Sequence, residues 1–196
     1  MTSPLTARDR AKAERSDAIL REAAQLFAAR GYSGVSLEDI GTAVGVSGPA
    51  VYRHFAGKQA LLGAVLVKVS QDLVSGGTRV SASADSDEER MRLLIRFHVD
   101  FALSHADVIR VQDRDLAHLS DADRAEVRRL QRAYIDLWMR TLAPLHDADD
   151  DARRLRVQAC FGLINSTPHS TRSAARAKKA TAEILEAMAF AALTAP

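Results

Sequence analysis

The sequence lacks the features that disulfide frameworks and exported or membrane proteins require. It has a single cysteine, Cys160, so no intrachain disulfide can form and a reducing compartment is expected. It contains no run of about 18 apolar residues that would predict a membrane span. Its polar, mixed-charge start, MTSPLTARDRAKAERSD, does not resemble a signal peptide. These absences predict a cytoplasmic protein with no membrane contact.

Aromatic and β-branched residues are also scarce. Aromatics make up only 5% of the 196 residues, whereas Ala and Leu are abundant. Because Ala and Leu have high helix propensity, the composition favours an all-α fold. The net charge of +2 is close to balance, so the overall charge predicts neither a nucleic acid nor a membrane as partner.

Motifs that support catalysis are missing as well. The histidines show no HExxH or other metal-binding spacing, and there is no glycine-rich phosphate loop or GxSxG turn. Cys160 lies in an apolar helical pattern and is interpreted as a small core residue. The run Asp149–Asp151 suits the start of a helix. We therefore expect no catalytic residue, metal site or cofactor, and a small helical enzyme is the weakest alternative.

Hydrophobic periodicity predicts helices along most of the chain, with no credible strand. The predicted helices cover about 12–30, 37–44, 48–54, 58 to about 75, 87–104, 121–144, 152–166 and 173–193. Residues 76–86 (GGTRVSASADS) are predicted to be a linker. The resulting division is a flexible N-terminus at 1–10, a helix-turn-helix domain at 11–57, and a larger domain at 58–196.

The second and third predicted helices are joined by a tight turn at Gly45-Val46, which is the helix-turn-helix arrangement. Ser36 and Ser47 are placed to cap these helices, and Pro49 suits a first turn. The predicted core combines apolar residues of all three helices: Leu26, Phe27, Ile40, Ala43, Val46, Val51 and Phe55.

The opposite face of the third helix has the chemistry of a DNA contact. Pro49, Tyr52 and Arg53 share this face because they lie three and four residues apart. A tyrosine hydroxyl can bind phosphate, and arginine can bind phosphate or guanine. The small Gly48 and Ala50 allow close approach to the major groove. The alternative is a helical interaction protein in which this motif has no DNA-binding role.

The stretch AILREAAQLFAARGYSGVSLEDIGTAVGVSGPAVYRHFAGKQALL closely resembles the N-terminal domain of the tetracycline-repressor-like (TetR) family of bacterial transcriptional regulators. The residues that carry this resemblance are Phe27, Gly31, Tyr32, Ser36, Ile40, Ala43, Gly45, Val46, Tyr52, Phe55, Lys58, Leu61 and Leu62. It implies an all-helical homodimer that binds a palindromic operator, most commonly as a repressor, and that a small-molecule effector releases.

The resemblance also implies roles for individual residues. Ser36 would be a phosphate-contacting cap, and Tyr52, His54 and Lys58 would contact phosphates. Gly48, Pro49, Ala50 and Arg53 would form the base-facing part of the recognition helix. With Ser47, these residues complete the predicted DNA-binding set. Since Gly48 and Ala50 are smaller than the residues that read bases in some members, the motif does not reveal the operator sequence.

Most aromatics of the larger domain recur at helical spacing, which is typical of core packing but also of a ligand cavity between helices. The predicted effector-binding set is Phe97, His98, Phe101, Tyr134, Trp138, Phe161 and Asn165, with His105 and His169 as further polar candidates. The segment ACFGLINSTPHS resembles an actinobacterial TetR subgroup in which some members sense acyl-CoA thioesters. In that interpretation Arg110, Arg114 and Arg172 would contact CoA phosphates; the alternative is that these arginines are simply solvated.

The last two predicted helices are rich in small and apolar residues, which predicts a dimer interface. These residues are Val157, Ala159, Cys160, Leu163, Ile184, Leu185, Ala187, Met188 and Ala191. Two such helices from each subunit would form a four-helix bundle, and its twofold axis would match a palindromic operator. The alternative is that these helices pack only within one chain.

Overall fold

The structure is a computed structural model that describes residues 6–171 and 179–195. Within these ranges it contains helices and connecting turns but no β-strand, which confirms the all-α prediction. The α-helices are α1 (Ala7–Arg30), α2 (Leu37–Ala43), α3 (Gly48–Tyr52), α4 (Lys58–Ala82), α5 (Asp87–Ser104), α6 (Ala106–Asp115), α7 (Asp121–Leu142), α8 (Asp150–Asn165), α9 (Thr167–Ser170) and α10 (Lys179–Thr194). A short 3₁₀ helix, Leu116–His118, connects α6 to α7.

The first helix begins earlier than predicted. Thr6 caps α1 through a reciprocal pair of hydrogen bonds with Asp9, so residues 7–10 are helical rather than flexible. The remainder of the predicted flexible segment, residues 1–5, lies outside the described residues. The helix ends as expected at Gly31, whose φ of 77° suits glycine.

The fourth helix continues through most of the segment that was predicted to be a linker. Gly76 and Gly77 are buried in α4, where they make room for neighbouring rings. A Cβ atom on Gly76 would lie 2.4 Å from Phe97 Cζ, and one on Gly77 would lie 2.8 Å from Tyr134 Cε2. The linker prediction was wrong for residues 76–82, because these glycines serve close helix packing rather than a turn.

Two apolar clusters make up the core. The first joins α1, α2 and α3 to the start of α4 and to parts of α6 and α7; the second joins α5, α6, α7, α8 and α10. Helix α4 contributes to both, with buried Leu61 and Leu66 in the first cluster and half-buried Leu73 against the second. This helix therefore links the helix-turn-helix region directly to the larger bundle.

By length and composition alone, helix α4 is long and apolar enough to cross a membrane. Nearly half of the relevant stretch is buried inside the protein. This burial arises from packing in the two core clusters. A core helix and a membrane-spanning helix can share the same apolar composition.

Helices α8 and α10 each have one face in the core and another face exposed. Asp149 caps the start of α8 by accepting a hydrogen bond from the Ala152 backbone N–H at 2.7 Å, as the acidic run predicted. Val157 and Cys160 are buried in the second cluster, so they face the chain's own core rather than a partner. Burial raises the pKa of the Cys160 thiol to about 12, consistent with a core residue.

Candidate DNA-binding face and effector cavity

The turn between α2 and α3 is tight because two glycines allow it. Gly45 has a φ of 70°, and the Val46 N–H donates to the Gly41 carbonyl at 2.8 Å. A Cβ on Gly41 would lie 2.9 Å from the Val46 carbonyl oxygen, so the two helices approach through a residue without a side chain. Gly41 is a structural residue that the sequence interpretation missed.

The buried side of the motif matches the prediction with one exception. Ile40 and Val51 are fully buried, while Val46 and Phe55 pack against the same cluster from partly exposed positions. Ala43 is exposed instead of buried. It is the last residue of α2, and the following Val44 packs against the cluster.

The outer side of α3 presents the predicted residues. Pro49 and Arg53 are exposed, and Tyr52, which is 53% exposed, is one of the few large apolar side chains on the surface of the described residues. Gly48 and Ala50 are half-buried. A Cβ on Gly48 would lie 3.2 Å from Glu38 Cγ, so the start of α3 packs on α2 beside an exposed carboxylate that the sequence interpretation did not consider.

The two predicted serine caps differ. The Ser36 hydroxyl accepts from the Asp39 N–H at 3.0 Å and lies 2.7 Å from the Asp39 carboxylate. The hydrogen bonds that the Ser36 hydroxyl and backbone N–H donate to the Asp39 carboxylate lower the pKa of Asp39. Ser47 stands at the N-cap position of α3, but its side chain makes no cap hydrogen bond, so that part of the prediction was wrong.

Lys58 lies where the helix-turn-helix motif contacts the larger bundle. Its Nζ donates to the Val35 carbonyl at 2.8 Å and lies 4.5 Å from the centre of the Tyr32 ring. Tyr32 in turn stacks on His118 with ring centres 4.5 Å apart, and Gln59 donates to the His118 carbonyl at 3.0 Å. The Lys58 ammonium group therefore already has partners within the chain. The contacts of Tyr32 and Gln59 with His118 could not be predicted, because His118 is distant in the sequence.

Arg114 on α6 makes further contacts between the larger bundle and the helix-turn-helix region. Its guanidinium donates to the backbone carbonyls of Phe27 and Ala28 at the end of α1 and pairs with buried Asp115 at 3.0 Å. The hydrogen bonds to Asp115 raise the pKa of Arg114. This arginine is therefore committed to contacts within the chain and does not support the predicted CoA-phosphate role.

The aromatic residues of the bundle gather around His98. Its ring centre lies 5.9 Å from that of Phe101, 5.7 Å from those of Tyr134 and Trp138, and 4.8 Å from that of Phe161. A cavity of about 210 Å³ opens beside this cluster, lined by Ser70, Leu73, His98, Gln112, Leu130, Gln131, Tyr134, Ile135, Phe161 and Asn165. The aromatic group is thus partly solid core and partly cavity wall.

The predicted effector residues divide accordingly. His98, Tyr134, Phe161 and Asn165 line this cavity. Trp138 is fully buried behind them and meets the Phe161 ring edge-on with centres 4.8 Å apart. Phe97 and Phe101 are not in its wall; they line a separate groove of about 400 Å³ beside α4. Ser70, Leu73, Gln112 and Gln131 were not predicted, because their helical spacing resembles that of ordinary core and surface positions.

Burial controls the protonation of the polar groups in the cavity. His98 is only 3% exposed, and desolvation lowers its pKa to about 4, although nearby Asn165 opposes this effect, so the ring is neutral at pH 7. Burial also raises the pKa of Tyr134, which keeps its proton. The Tyr134 hydroxyl lies 3.4 Å from His98 Nδ1.

Two buried polar atoms of the lining residues, His98 Nε2 and Asn165 Oδ1, make no hydrogen bond of normal length and angle among the described residues, although the Asn165 side chain lies close enough to His98 to favour its protonated form. A buried polar atom without a partner costs about 1–3 kcal/mol. Within the part of the chain that the structure describes, no Asp, Glu, Lys or Arg lines the cavity. The cavity is therefore an uncharged site with unused hydrogen-bonding capacity.

The further polar candidates lie elsewhere. His105 is exposed and stacks on Phe101 with ring centres 5.1 Å apart. His169 Nε2 lies 3.1 Å from an Asp113 carboxylate oxygen on the surface. Arg110 pairs with Asp107 at 3.1 Å, and Arg172 lies outside the described residues.

Comparison with known families explains why these two regions occur together. Residues 19–65 match the family model described as "Bacterial regulatory proteins, tetR family", and residues 84–169 match the "Tetracyclin repressor-like, C-terminal domain". The chain belongs to the TetR family. TetR-family proteins are DNA-binding transcription regulators rather than enzymes, so the enzyme alternative is excluded.

Curated relatives from actinobacteria are similar to this TetR-family chain. It is 28% identical to the regulator AlkX of Mycobacterium tuberculosis over 179 residues, which cover 81% of each chain. It is 33% identical to the transcriptional activator FasR of Mycolicibacterium smegmatis over 88 residues, 45% of this chain and 40% of FasR. The chain thus spans well under half of FasR.

Solved structures support the fold. A TetR-family regulator from Bordetella parapertussis superimposes with a TM-score of 0.79 at 22% identity, covering 92% of this chain and 94% of that one. AibR, solved with isovaleryl coenzyme A and operator DNA, gives a TM-score of 0.74 at 22% identity and covers 93% of this chain and 99% of AibR. At this identity the similarity establishes the TetR-family fold alone.

Proposed function

We propose that this regulator binds a palindromic operator as a homodimer, represses transcription in the cytoplasm, and is released by a small molecule in the cavity beside His98. The observation that carries the DNA-binding part is the outer face of α3. Tyr52 and Arg53 are exposed there, while Val51 holds the helix from behind at full burial. An exposed tyrosine and arginine on a rigidly anchored helix suit phosphate and base contacts.

The test of this face uses operator duplexes selected from a random pool. Arg53→Gln is expected to weaken binding roughly 10- to 100-fold if the guanidinium reads a guanine. Tyr52→Ala removes a phosphate contact and is expected to weaken binding more uniformly across sequences. Arg128→Gln, on the exposed surface of α7, is the matched control and should bind like the parent. Parent-like affinity of both α3 variants would refute the assignment.

Salt dependence separates DNA binding from a purely structural motif. Phosphates neutralised by cationic side chains release counterions, so binding should weaken steeply with increasing salt. Arg53→Gln should reduce the slope if its guanidinium neutralises a phosphate, whereas Tyr52→Ala, which removes no charge, should leave the slope unchanged. Lys58 is less informative, because its replacement would also disrupt the contacts with Val35 and Tyr32.

The dimer proposal rests on apolar side chains that the single chain leaves exposed. Leu155 on α8 is 67% exposed, and Ile184 and Met188 on α10 are 59% and 50% exposed. Helices α8 and α10 also pack against each other. Burying these neighbouring faces against a second copy would form a four-helix bundle, whereas leaving them in water would be unfavourable.

The position of α4, between the cavity and the helix-turn-helix motif, supports release by an effector. Ser70 and Leu73 of this helix line the cavity, and Lys58 at its start is fixed to the helix-turn-helix motif. An effector that prefers one tilt of α4 would shift the population towards a spacing of the two recognition helices that does not fit the operator. The acyl-CoA hypothesis stays a prediction. AibR was solved with isovaleryl coenzyme A and a Bacillus subtilis FadR with stearoyl-CoA.

Repression is the proposed sign of control because the relative KstR2 of Rhodococcus jostii, 29% identical over 144 residues, is a transcriptional repressor. A reporter placed behind the selected operator tests it. Deletion of the regulator should raise expression, and lower expression on deletion would identify an activator.

A further inference from the structure

The wall of the cavity beside His98 indicates what kind of molecule it accepts. The described residues that line it include no formally charged side chain, and His98 is neutral at pH 7 because burial lowers its pKa to about 4. A carboxylate or phosphate buried here would lose its hydration without gaining a cationic partner. The charge of the site therefore favours an uncharged ligand.

The size of the cavity limits the ligand as well. A cavity of roughly 150 Å³ lined by apolar side chains holds benzene. The cavity of about 210 Å³ then holds about eight to ten non-hydrogen atoms of the ligand, and because it opens to solvent this number applies to the enclosed part. Leu73, Leu130, Ile135 and Phe161 provide apolar walls, so most of the ligand is apolar.

The two unpartnered polar atoms define the rest of the ligand. Tyr134 keeps its proton and can donate it to His98 Nδ1, 3.4 Å away, which leaves the ring proton on Nε2 as a donor. Asn165 Oδ1 is an acceptor. A ligand group that satisfies both must accept one hydrogen bond and donate another, as a hydroxyl or a primary amide does. A carboxylate has no proton to donate to Asn165.

We infer that the effector of this regulator is a small uncharged molecule with an apolar body and one hydroxyl or primary-amide group, which binds between His98 Nε2 and Asn165 Oδ1. This inference rests on the proposed effector role of the cavity and narrows it to a ligand class. It differs from the acyl-CoA prediction, in which the ligand carries phosphates.

Matched probes of nearly equal size test the inference on the full chain without DNA. They are 2-phenylethanol, phenylacetamide, phenylacetate and ethylbenzene, with isovaleryl coenzyme A as a separate arm. Binding is followed by calorimetry and by the fluorescence of Trp138, the single tryptophan, which contacts the His98 and Phe161 rings. The alcohol and the amide should bind roughly tenfold more tightly than ethylbenzene, and phenylacetate should bind at least about 100-fold more weakly than the alcohol.

Asn165→Leu tests the polar contact directly. It should abolish the roughly tenfold preference for the alcohol over ethylbenzene while leaving ethylbenzene binding intact or stronger. Gln71→Leu makes a similar amide-to-alkyl change at an exposed position of α4 outside the cavity wall and should keep the preference. The parent protein and the probe panel suffice for the test if Asn165→Leu does not fold.

Operator release, measured separately, distinguishes the ligand class from the effector role. If the alcohol or amide binds but leaves the operator complex intact, the ligand class stands and the effector role fails. If phenylacetate or isovaleryl coenzyme A binds and releases the operator while the neutral probes do not bind, the ligand class is overturned and the effector role stands. Failure of every probe to bind overturns the inference.

Discussion

Replacing His98 should change how the stability of the protein depends on pH. The ring is buried among Tyr134, Trp138 and Phe161, and this burial lowers its pKa from 6.5 to about 4. In the unfolded chain the ring is solvated and takes up a proton near its ordinary pKa. Between these two values the unfolded state binds more protons than the folded state, so acidification favours unfolding.

The magnitude follows from the two pKa values. Each pH unit between them corresponds to about 1.4 kcal/mol, so lowering the pKa from 6.5 to about 4 costs the folded state about 3 kcal/mol below both values. Most of this, roughly 2–3 kcal/mol, is lost by about pH 4.5, and almost none is lost above about pH 7. Asp39 also loses its stabilising contribution on acidification, because its pKa is lowered in the folded state. That loss requires stronger acid than the loss of stability caused by His98.

Urea unfolding from about pH 7 to about pH 4.5 measures this effect, at one fixed protein concentration because dimerisation contributes to stability. His98→Gln should be less stable than the parent at pH 7 but should lose roughly 2–3 kcal/mol less on acidification. His105→Gln removes an exposed histidine and should retain the dependence of the parent. Equal losses in the parent and in His98→Gln would refute the assignment of a neutral buried ring.

Two further perturbations test the packing of α4 and the dimer. Gly77→Ala gains about 1 kcal/mol of helix propensity but costs about 1–3 kcal/mol through overpacking against Tyr134. Thermal unfolding should therefore show net destabilisation of this variant, whereas Thr78→Ala, at an exposed position, should be neutral or stabilising. A stabilised Gly77→Ala variant would show that the Tyr134 ring moves aside at little cost. Ile184→Glu places a charge on the exposed face of α10 and should convert a dimer to monomers in sedimentation experiments; a dimer as tight as the parent's would place the interface elsewhere.

Local signals in the sequence were sufficient for much of the helix-turn-helix region and for some helix boundaries. The periodic segment 87–104 predicted α5, which spans Asp87–Ser104, and Ser36 caps α2 as expected. These features depend on residues within a few positions of one another, where capping and periodicity act. The exposed α3 face was predictable for the same reason, because helical spacing places buried Val51 and exposed Tyr52 on different faces of a short helix.

Features that depend on distant contacts were not predictable. Gly76 and Gly77 have the composition of a linker, and only the positions of Phe97 and Tyr134 show that they are packing residues. Helical spacing selected Phe97, Phe101, Tyr134 and Phe161 as one aromatic group, but it could not reveal which rings share a cavity. That division depends on how α5, α7 and α8 are rotated against α4.

The close contact at Gly77 suggests how an occupied cavity can act on the DNA-binding region. Tyr134 forms part of the cavity wall and also lies against α4, where Gly77 has no side chain to absorb a displacement. A ligand that moves this ring therefore acts on the helix backbone, and the same helix is fixed to the helix-turn-helix motif through Lys58 and Val35. Converting a regulator from 99% to 1% in its DNA-binding state requires a roughly 10⁴-fold difference in ligand affinity between the two states. Apolar contacts change little with a small tilt, so we expect the directional hydrogen bonds to His98 and Asn165 to supply much of that difference.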